Sequence, residues 1–449
     1  MATSPLPPSD GPANLDSVKP GQHGRRRVLR YAAAGGAASL LSGRVAHATQ
    51  PKPEAGSAAA KPLPSDAIER STKAGTRIEL PFENGARELM TFPQKRPLIL
   101  LTQRPPQLET PFYVYNEGII TPNDAFFVRY HWSNIPTDID PRSYRLNIGG
   151  HVDKPLRLSL DELKQMAEPV EIVAVHQCSG NSRGHFTPRV GGGQVSHGLM
   201  GNGRWQGIPL KTVLEKAGIR AGAVQVSFNG LDAPPVGPGP DFIKALDVDQ
   251  AMDGEVMLAW GLNDADLPWL NGYPLRLVVP GHYGTYWIKH LSDIQVLDKT
   301  FDGFWMAKAY RLPDNDCGCV DPGTKPEKTV PIARFSVRSF LTSHVDAAHI
   351  PASRTTVLRG IAFDGGSGIR SVMISTDEGK SWQEAKLGKD LGRYSFREWT
   401  LPFKPGKPGE YRVMVRATNR DGDTQPEGFR WNPAGYRYNP IETTRLVAV

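Results

Sequence analysis

The sequence predicts an α+β domain followed by an all-β, immunoglobulin-like sandwich, and three observations predict it. At 449 residues the chain is too long for one ordinary domain. Its 46 Gly and 40 Pro imply many turns and short strands. The hydrophobic periodicity also changes after a Pro/Lys-rich stretch, Asp321 to Pro331. With 39% hydrophobic and 22% charged residues the composition is that of a globular protein. No apolar run approaches about 18 residues, so no membrane-spanning helix is expected.

The N-terminus reads as an address. Gly24-Arg25-Arg26-Arg27-Val28-Leu29-Arg30 precedes the weakly apolar stretch Tyr31 to Leu41, and Ala46-His47-Ala48 offers a small-x-small cleavage site. Paired arginines before a mild apolar region predict a twin-arginine export signal over residues 1–48 and a periplasmic destination. Residues 49–90 read as a flexible leader, rich in Pro, Ala and Lys between Pro51 and Pro64. The formal charge of +7 falls to about +3 without residues 1–48, which carry six basic and two acidic side chains. A mild excess of that size is no nucleic-acid footprint.

Residues 91–325 form the predicted α+β domain. Arg145 to Gly150 reads as a strand ending in a turn. Ser159 begins Ser-Leu-Asp-Glu-Leu, an N-cap followed by acidic first-turn residues, hence a helix. Leu210 to Ala217 is a second short helix closed by Gly218. Val224 to Phe228 alternates with period two, and Leu275 to Val279 is a buried strand broken by Arg276. A buried arginine without an anion is costly, so Arg276 should meet one. Cys317-Gly318-Cys319 is too tightly spaced for an easy disulfide and lacks the residues of a c-type haem site. It reads as a surface loop, with a redox pair as the alternative. Over 330–449, strands at Thr355 to Phe363, Ser371 to Ser375, Tyr394 to Leu401 and Glu410 to Ala417 predict the sandwich, with Trp382 capping its core.

The chemistry points to Cys178. It follows the apolar run Val170 to Val175 in His176-Gln177-Cys178-Ser179-Gly180-Asn181-Ser182-Arg183. A strand thus delivers one thiol into a loop of small and polar residues, with a guanidinium five positions on. A thiolate is a good ligand for a redox metal. The bland reading is a small buried hydrophobe.

The wider sequence resembles the sulfite oxidase family of molybdenum-cofactor enzymes, closest to the bacterial periplasmic sulfite dehydrogenases. The resemblance runs from about Pro111 to the C-terminus. Five blocks carry it in order: Phe126 to Trp132; the Cys178 loop through Gly191-Gly192-Gly193; Met200 to Leu210; Phe228-Asn229-Gly230-Leu231-Asp232; and Asn271 to Gly281. It implies a molybdenum–pterin cofactor whose metal is bound by Cys178, and oxidation of sulfite with water to sulfate, two protons and two electrons. It also implies a sulfite oxidase-type α+β molybdopterin-binding domain followed by a dimerisation domain.

By the same resemblance, Phe127, Val128, Arg129, Tyr130 and His131 line the pterin approach, and Asp232 accepts from pterin N–H donors. Asn271 stands where vertebrate relatives have histidine. Arg276, and Lys289 with the Trp287-Ile288 backbone, hold the phosphate. Arg129, His131, Arg183 and Tyr310 serve the substrate, and guanidinium forks suit an oxyanion. Arg129 and His131, two apart in an extended segment, project to the same side. Trp431 to Gly435 lacks the arginine vertebrate enzymes place there, with Arg437 close by.

No haem-binding domain is expected on this chain, so electrons leave to a c-type cytochrome or haem subunit, in a homodimer or a heterodimer. The alternatives are a related enzyme acting on sulfane sulfur or a sulfoxide, and a non-catalytic secreted Ig-like binding protein.

Overall fold

The strand Val170–Gln177 is the spine of the catalytic half. In this computed structural model residues 73–235, 237 and 239–449 are described, and the signal read over 1–48 lies outside them. Val170–Gln177 pairs antiparallel along its whole length with Met200–Pro209, placing Gln177 opposite Met200. Next comes Met257–Leu262, whose six residues are all buried, which is why it reads as a continuous apolar run. Arg276–Val278 pairs with its outer side, bringing Arg276 opposite Ala259.

A second sheet runs in the order Lys244–Asp247, Gln225–Gly230, Leu291–Leu297, Leu146–Gly150, Leu156–Leu158. The helices are short and end where their caps dictate. Ser159 and Glu162 form a reciprocal capping box on Leu160–Lys164. Leu210–Ala217 buries Leu210, Val213, Leu214 and Ala217, one helical stripe, and stops at Gly218, whose φ is +71°. No helix among the described residues is long and apolar enough to cross a membrane.

The leader expected over 49–90 is corrected from residue 73 onward. Arg77–Glu79 and Ala86–Met90 are strands of a five-stranded meander that continues through Leu98–Thr102 and Gln107–Glu109 to Val128–Arg129. The reason is burial, since Ile78, Leu80 and Leu89 pack with Ile99 into a small core of their own. The linker at 321–331 is also more ordered than its composition implies, because Thr329–Pro331 pairs with Arg311–Pro313.

Beyond it, two sheets enclose a core around Leu358, Val372, Trp399 and Val413. One runs Arg338–Leu341, Thr356–Phe363, Arg397–Phe403, Lys386–Leu387; the other runs Ala348–Ile350, Glu442–Ala448, Gly409–Asn419, Ile369–Ser375, Gln383–Glu384. The core tryptophan is Trp399, fully buried, not Trp382. Trp382 lies half-buried on its turn, with its indole N–H donated to the Gly379 carbonyl and Arg416 over its ring at 4.2 Å.

The two halves are not separate beads. Ile332, Phe335, Phe340, Ile361, Phe363, Tyr394 and Phe396 belong to the same buried cluster as Val175, Trp205 and Leu277.

Candidate active site

The pairing that ends Val170–Gln177 fixes the thiol. Cys178 is the first residue past the strand, and its N–H still reaches the Leu199 carbonyl at 2.9 Å. The chain then turns, with Asn181 N–H on the Cys178 carbonyl and the Asn181 side-chain oxygen accepting from Leu199 N–H. The thiol is thus half-exposed on a backbone tied at both ends.

It opens into a cleft lined by Phe127, Arg129, His131, His176, Cys178, Ser179, Phe242, Gly284, Thr285, Trp287, Ile288, Lys289 and Tyr310. The lining contains two permanent or near-permanent cations and no carboxylate, the makeup of an anion site. Phe127, Arg129 and His131 face it together because alternate residues of an extended segment share a side. The intervening residues correct the expectation drawn for them. Val128 and Tyr130 point the other way, into a small core with Leu98, Leu108 and Leu270. Tyr130 bonds through its hydroxyl to His290 Nε2 at 2.7 Å.

Lys289 is held beneath Arg129, donating Nζ–H to the Arg129 carbonyl at 2.9 Å and lying 4.2 Å from the Tyr130 ring centre. Burial pushes its pKa down to about 8. Arg276 is fully buried behind the cleft and meets no carboxylate among the described residues. It donates to the backbone carbonyls of Asn271 at 2.7 Å and Trp287 at 3.2 Å, and its planar face lies 5.0 Å from Trp205. Burial lowers its pKa to about 9.

Asp232 is buried just outside the cleft, its carboxyl raised by burial, with Lys289 opposing that shift. Asn271 does not reach the cleft either. Its side-chain oxygen accepts from Lys95 Nζ at 2.5 Å, and its amide N–H donates to the Phe127 carbonyl at 3.0 Å. It therefore braces Phe127 and, through its own carbonyl, Arg276.

On the opposite wall, Tyr310 sits at φ +56° and gives its hydroxyl to His131 Nε2. His131 is stacked on Phe242 at 4.2 Å and against Trp305 at 4.5 Å. Burial, then the charges of Arg129, Lys289, Lys244 and Arg183, hold its pKa well below the usual imidazole range. Burial raises the Tyr310 phenol, so both groups stay neutral. Arg183 is not in the cleft lining; it lies over the face of Tyr436 at 5.2 Å. Arg437, the candidate near the C-terminus, turns away to bond Ser336 Oγ through Nε at 3.1 Å.

Three residues in or behind the cleft carried no signal of their own in the sequence. His176 was visible only as part of the cysteine motif. It is stacked between Phe127 at 4.8 Å and Trp287 at 4.7 Å, with Nδ1 buried and unpartnered. A Cβ at position 284 would fall 2.5 Å from its Nε2, so Gly284 admits the ring. Lys95 and Tyr436 were missed because each reaches the site through a side chain far away in sequence. For the paired cysteines the alternative reading is the one realised: Cys317 and Cys319 form a disulfide.

Buried polar atoms test whether the site fits a pterin cofactor. His176 Nδ1, Gln177 Oε1, Ser179 Oγ, Thr285 Oγ1 and Arg276 Nε have no hydrogen-bond partner among the described residues. Natural proteins rarely leave so many orphans in one place. Uncompensated cations and open donors and acceptors around a soft thiol fit an anionic, polyfunctional group that also binds sulfur.

Residues 132–305 match the oxidoreductase molybdopterin binding domain family, and residues 329–442 the Mo-co oxidoreductase dimerisation domain family. The sulfite oxidase of Gallus gallus is 31% identical over 351 residues, covering 74% of each chain. The mitochondrial sulfite oxidase of Mus musculus is 32% identical over 355 residues, covering 75% of this chain. This chain spans 63% of that relative's length. The sulfane dehydrogenase SoxCD from Paracoccus pantotrophus, a solved structure, shares the fold with a TM-score of 0.65 at 23% identity, covering 88% of this chain and 92% of that one. A thiol in a carboxylate-free cationic cleft and two matched domains in order lead to one conclusion: the chain belongs to the sulfite oxidase family of molybdenum-cofactor oxidoreductases.

Proposed function

We propose that this protein oxidises sulfite to sulfate at a molybdenum–pterin cofactor held through Cys178, and passes the electrons to a separate c-type cytochrome. The observation that carries the reading is the cleft itself, where the thiol, Arg129, Lys289 and the Tyr310–His131 pair converge without a carboxylate. Arg276 and Lys289, with the orphaned side chains of Ser179 and Thr285, would hold the cofactor's anionic and polar groups. When bound, the cofactor supplies the two-electron chemistry that side chains lack.

The protein's own groups bind and orient the substrate. Arg129 offers a fork to a small oxyanion at the mouth of the site. Tyr310 keeps its phenolic proton and can turn its O–H from His131 Nε2 to a substrate oxygen. His131, kept neutral by burial and by the cations around it, is a weak base, and its part is to hold the Tyr310 hydroxyl in place through Nε2. The rings of Phe242 and Trp305 limit water around that pair.

Export of the folded protein by the twin-arginine route to the periplasm is part of this proposal, as are the immunoglobulin-like character of the C-terminal sandwich and its role as the subunit contact. The match to a dimerisation domain supports the last point. The fold shared with SoxCD favours a second reading, oxidation of a sulfane sulfur. Purified protein assayed for molybdenum, and for ferricyanide reduction with sulfite against a protein-bound sulfane donor, decides between them. About one molybdenum per chain with sulfite-dependent turnover is expected. Turnover with the sulfane donor alone would replace the sulfite reading.

A further inference from the structure

We propose that Tyr436, supplied by the C-terminal domain, is a positioning residue that holds Arg183 for the substrate anion and ties it to Tyr310; this rests on the sulfite reading above. Arg183 lies in a slot whose walls are mostly missing side chains. A Cβ at Gly180 would come within 2.6 Å of its guanidinium, one at Gly192 within 3.0 Å, and one at Gly435 within 3.0 Å of Nε. Its Nε–H is spent on the Ala434 carbonyl at 3.2 Å, and the guanidinium also hydrogen-bonds the Tyr436 side chain. Glycines alone cannot hold a long side chain in one rotamer. The remaining wall is the Tyr436 ring, with the guanidinium 5.2 Å from its centroid, a cation–π distance.

The other face of the argument is Tyr310. The two tyrosine rings are parallel within 2°, with centroids 5.6 Å apart. Tyr436 thus packs against both the Arg183 guanidinium and the phenol that bonds His131. It is itself fixed, because Asn432, almost wholly buried, accepts from the Tyr436 N–H at 3.1 Å and donates to the Tyr436 carbonyl at 2.8 Å. The strap carrying it is fastened to the catalytic domain, with Val320 N–H on the Trp431 carbonyl and the Trp431 indole on the Pro188 carbonyl. No third cation enters from this strap: position 434 is alanine and Arg437 faces Ser336. The strap contributes placement of Arg183 in place of charge.

The test uses the full-length, cofactor-loaded protein with Tyr436→Leu and Tyr436→Phe. Steady-state constants for sulfite, molybdenum content, and the rate at which phenylglyoxal labels Arg183 (read by peptide mass spectrometry) are measured together. In Tyr436→Leu, KM for sulfite should rise on the order of tenfold with kcat within about threefold. Molybdenum should be retained and Arg183 labelled faster. Tyr436→Phe, which keeps the ring and loses only the hydroxyl bond to Arg183, should recover most of the KM and of the slow labelling. Unchanged KM and labelling in Tyr436→Leu would overturn the proposal, as would a joint loss of kcat and molybdenum in both variants. If the wild type does not oxidise sulfite but Tyr436→Leu still exposes Arg183, the sulfite reading falls while the positioning role stands.

Discussion

The Tyr310 hydroxyl is bonded to His131 Nε2 across 179 residues of sequence, and neither group carries a charge. Burial, reinforced by the cations around it, keeps His131 from the imidazolium state. A pair of this kind can reorient without charge separation, so its loss should register in turnover before binding. Tyr310→Phe should lower kcat on the order of tenfold with a smaller change in KM. Steady-state measurement with sulfite checks this, and a rise in KM alone would remove Tyr310 from the chemical step.

Cys178→Ser should abolish turnover while thermal stability stays close to that of the wild type. The backbone bonds of residue 178 do not involve the sulfur, and the side chain is half-exposed. Serine is a harder, less covalent ligand than thiolate. Near-normal sulfite oxidation by this variant would disprove the ligand assignment.

Arg129→Ala and Arg183→Ala should weaken sulfite binding more than cofactor retention. Losing a charge-assisted bond to an anion costs about 1.5–3 kcal/mol, roughly ten- to a hundredfold in kcat/KM. Retained molybdenum with a raised KM is expected. Loss of the metal in step with activity would place these arginines on the cofactor instead.

The buried cations make stability depend on pH, with a slope set by cofactor loading. In the cofactor-free protein Lys95 and Lys244 are pushed down to about 7, Lys289 to about 8 and Arg276 to about 9, in each case first by burial. Lysines in the unfolded chain hold their protons to about 10.5, so between about pH 7 and 10 the unfolded state binds more protons. Cofactor-free protein should therefore gain stability as pH rises through that window. An anion bound against Lys289 and Arg276 raises their pKa values again, so the loaded protein should lose part of that gain and release cofactor more readily above about pH 8. Thermal melts of both forms across the window decide the matter; parallel profiles would mean that no anion sits against these cations.

Truncation after residue 329 should give insoluble or unfolded protein rather than a free catalytic domain. It removes Ile332, Phe335, Phe340, Ile361, Phe363, Tyr394 and Phe396 from the shared cluster. At about 1.5–3 kcal/mol per buried large apolar side chain, the loss is comparable with the roughly 5–15 kcal/mol that holds a domain together. A soluble, cooperatively melting fragment would contradict this.

The legible parts of the molecule were those set by local chemistry. Ser159 with Glu162 fixed one helix start, Gly218 one helix end, and the run before Cys178 a strand, because each depends on neighbours a few residues away. Alternation along Phe127, Arg129 and His131 was legible for the same reason. What the resemblance grouped as one stretch, the strand divides between two faces, so Val128 and Tyr130 went to the wrong side. Lys95 and Tyr436 were illegible because they act over 176 and 126 positions respectively, on Asn271 and Tyr310. The disulfide at Cys317 and Cys319 stood only as the alternative to a surface loop because spacing argued against it, and the turn around Gly318, at φ +59°, brings the sulfurs together.

The meander that begins at Arg77 has a consequence for maturation. Its last strand, Val128–Arg129, is hydrogen-bonded to Gln107–Glu109, so the backbone of the substrate arginine is the final rung of a ladder built from the N-terminal side. If a leader is removed as proposed, the cut must fall upstream of Arg77 to keep this ladder whole. A cut further in is expected to loosen the ladder from its N-terminal end and, through it, the placement of Arg129 in the cleft.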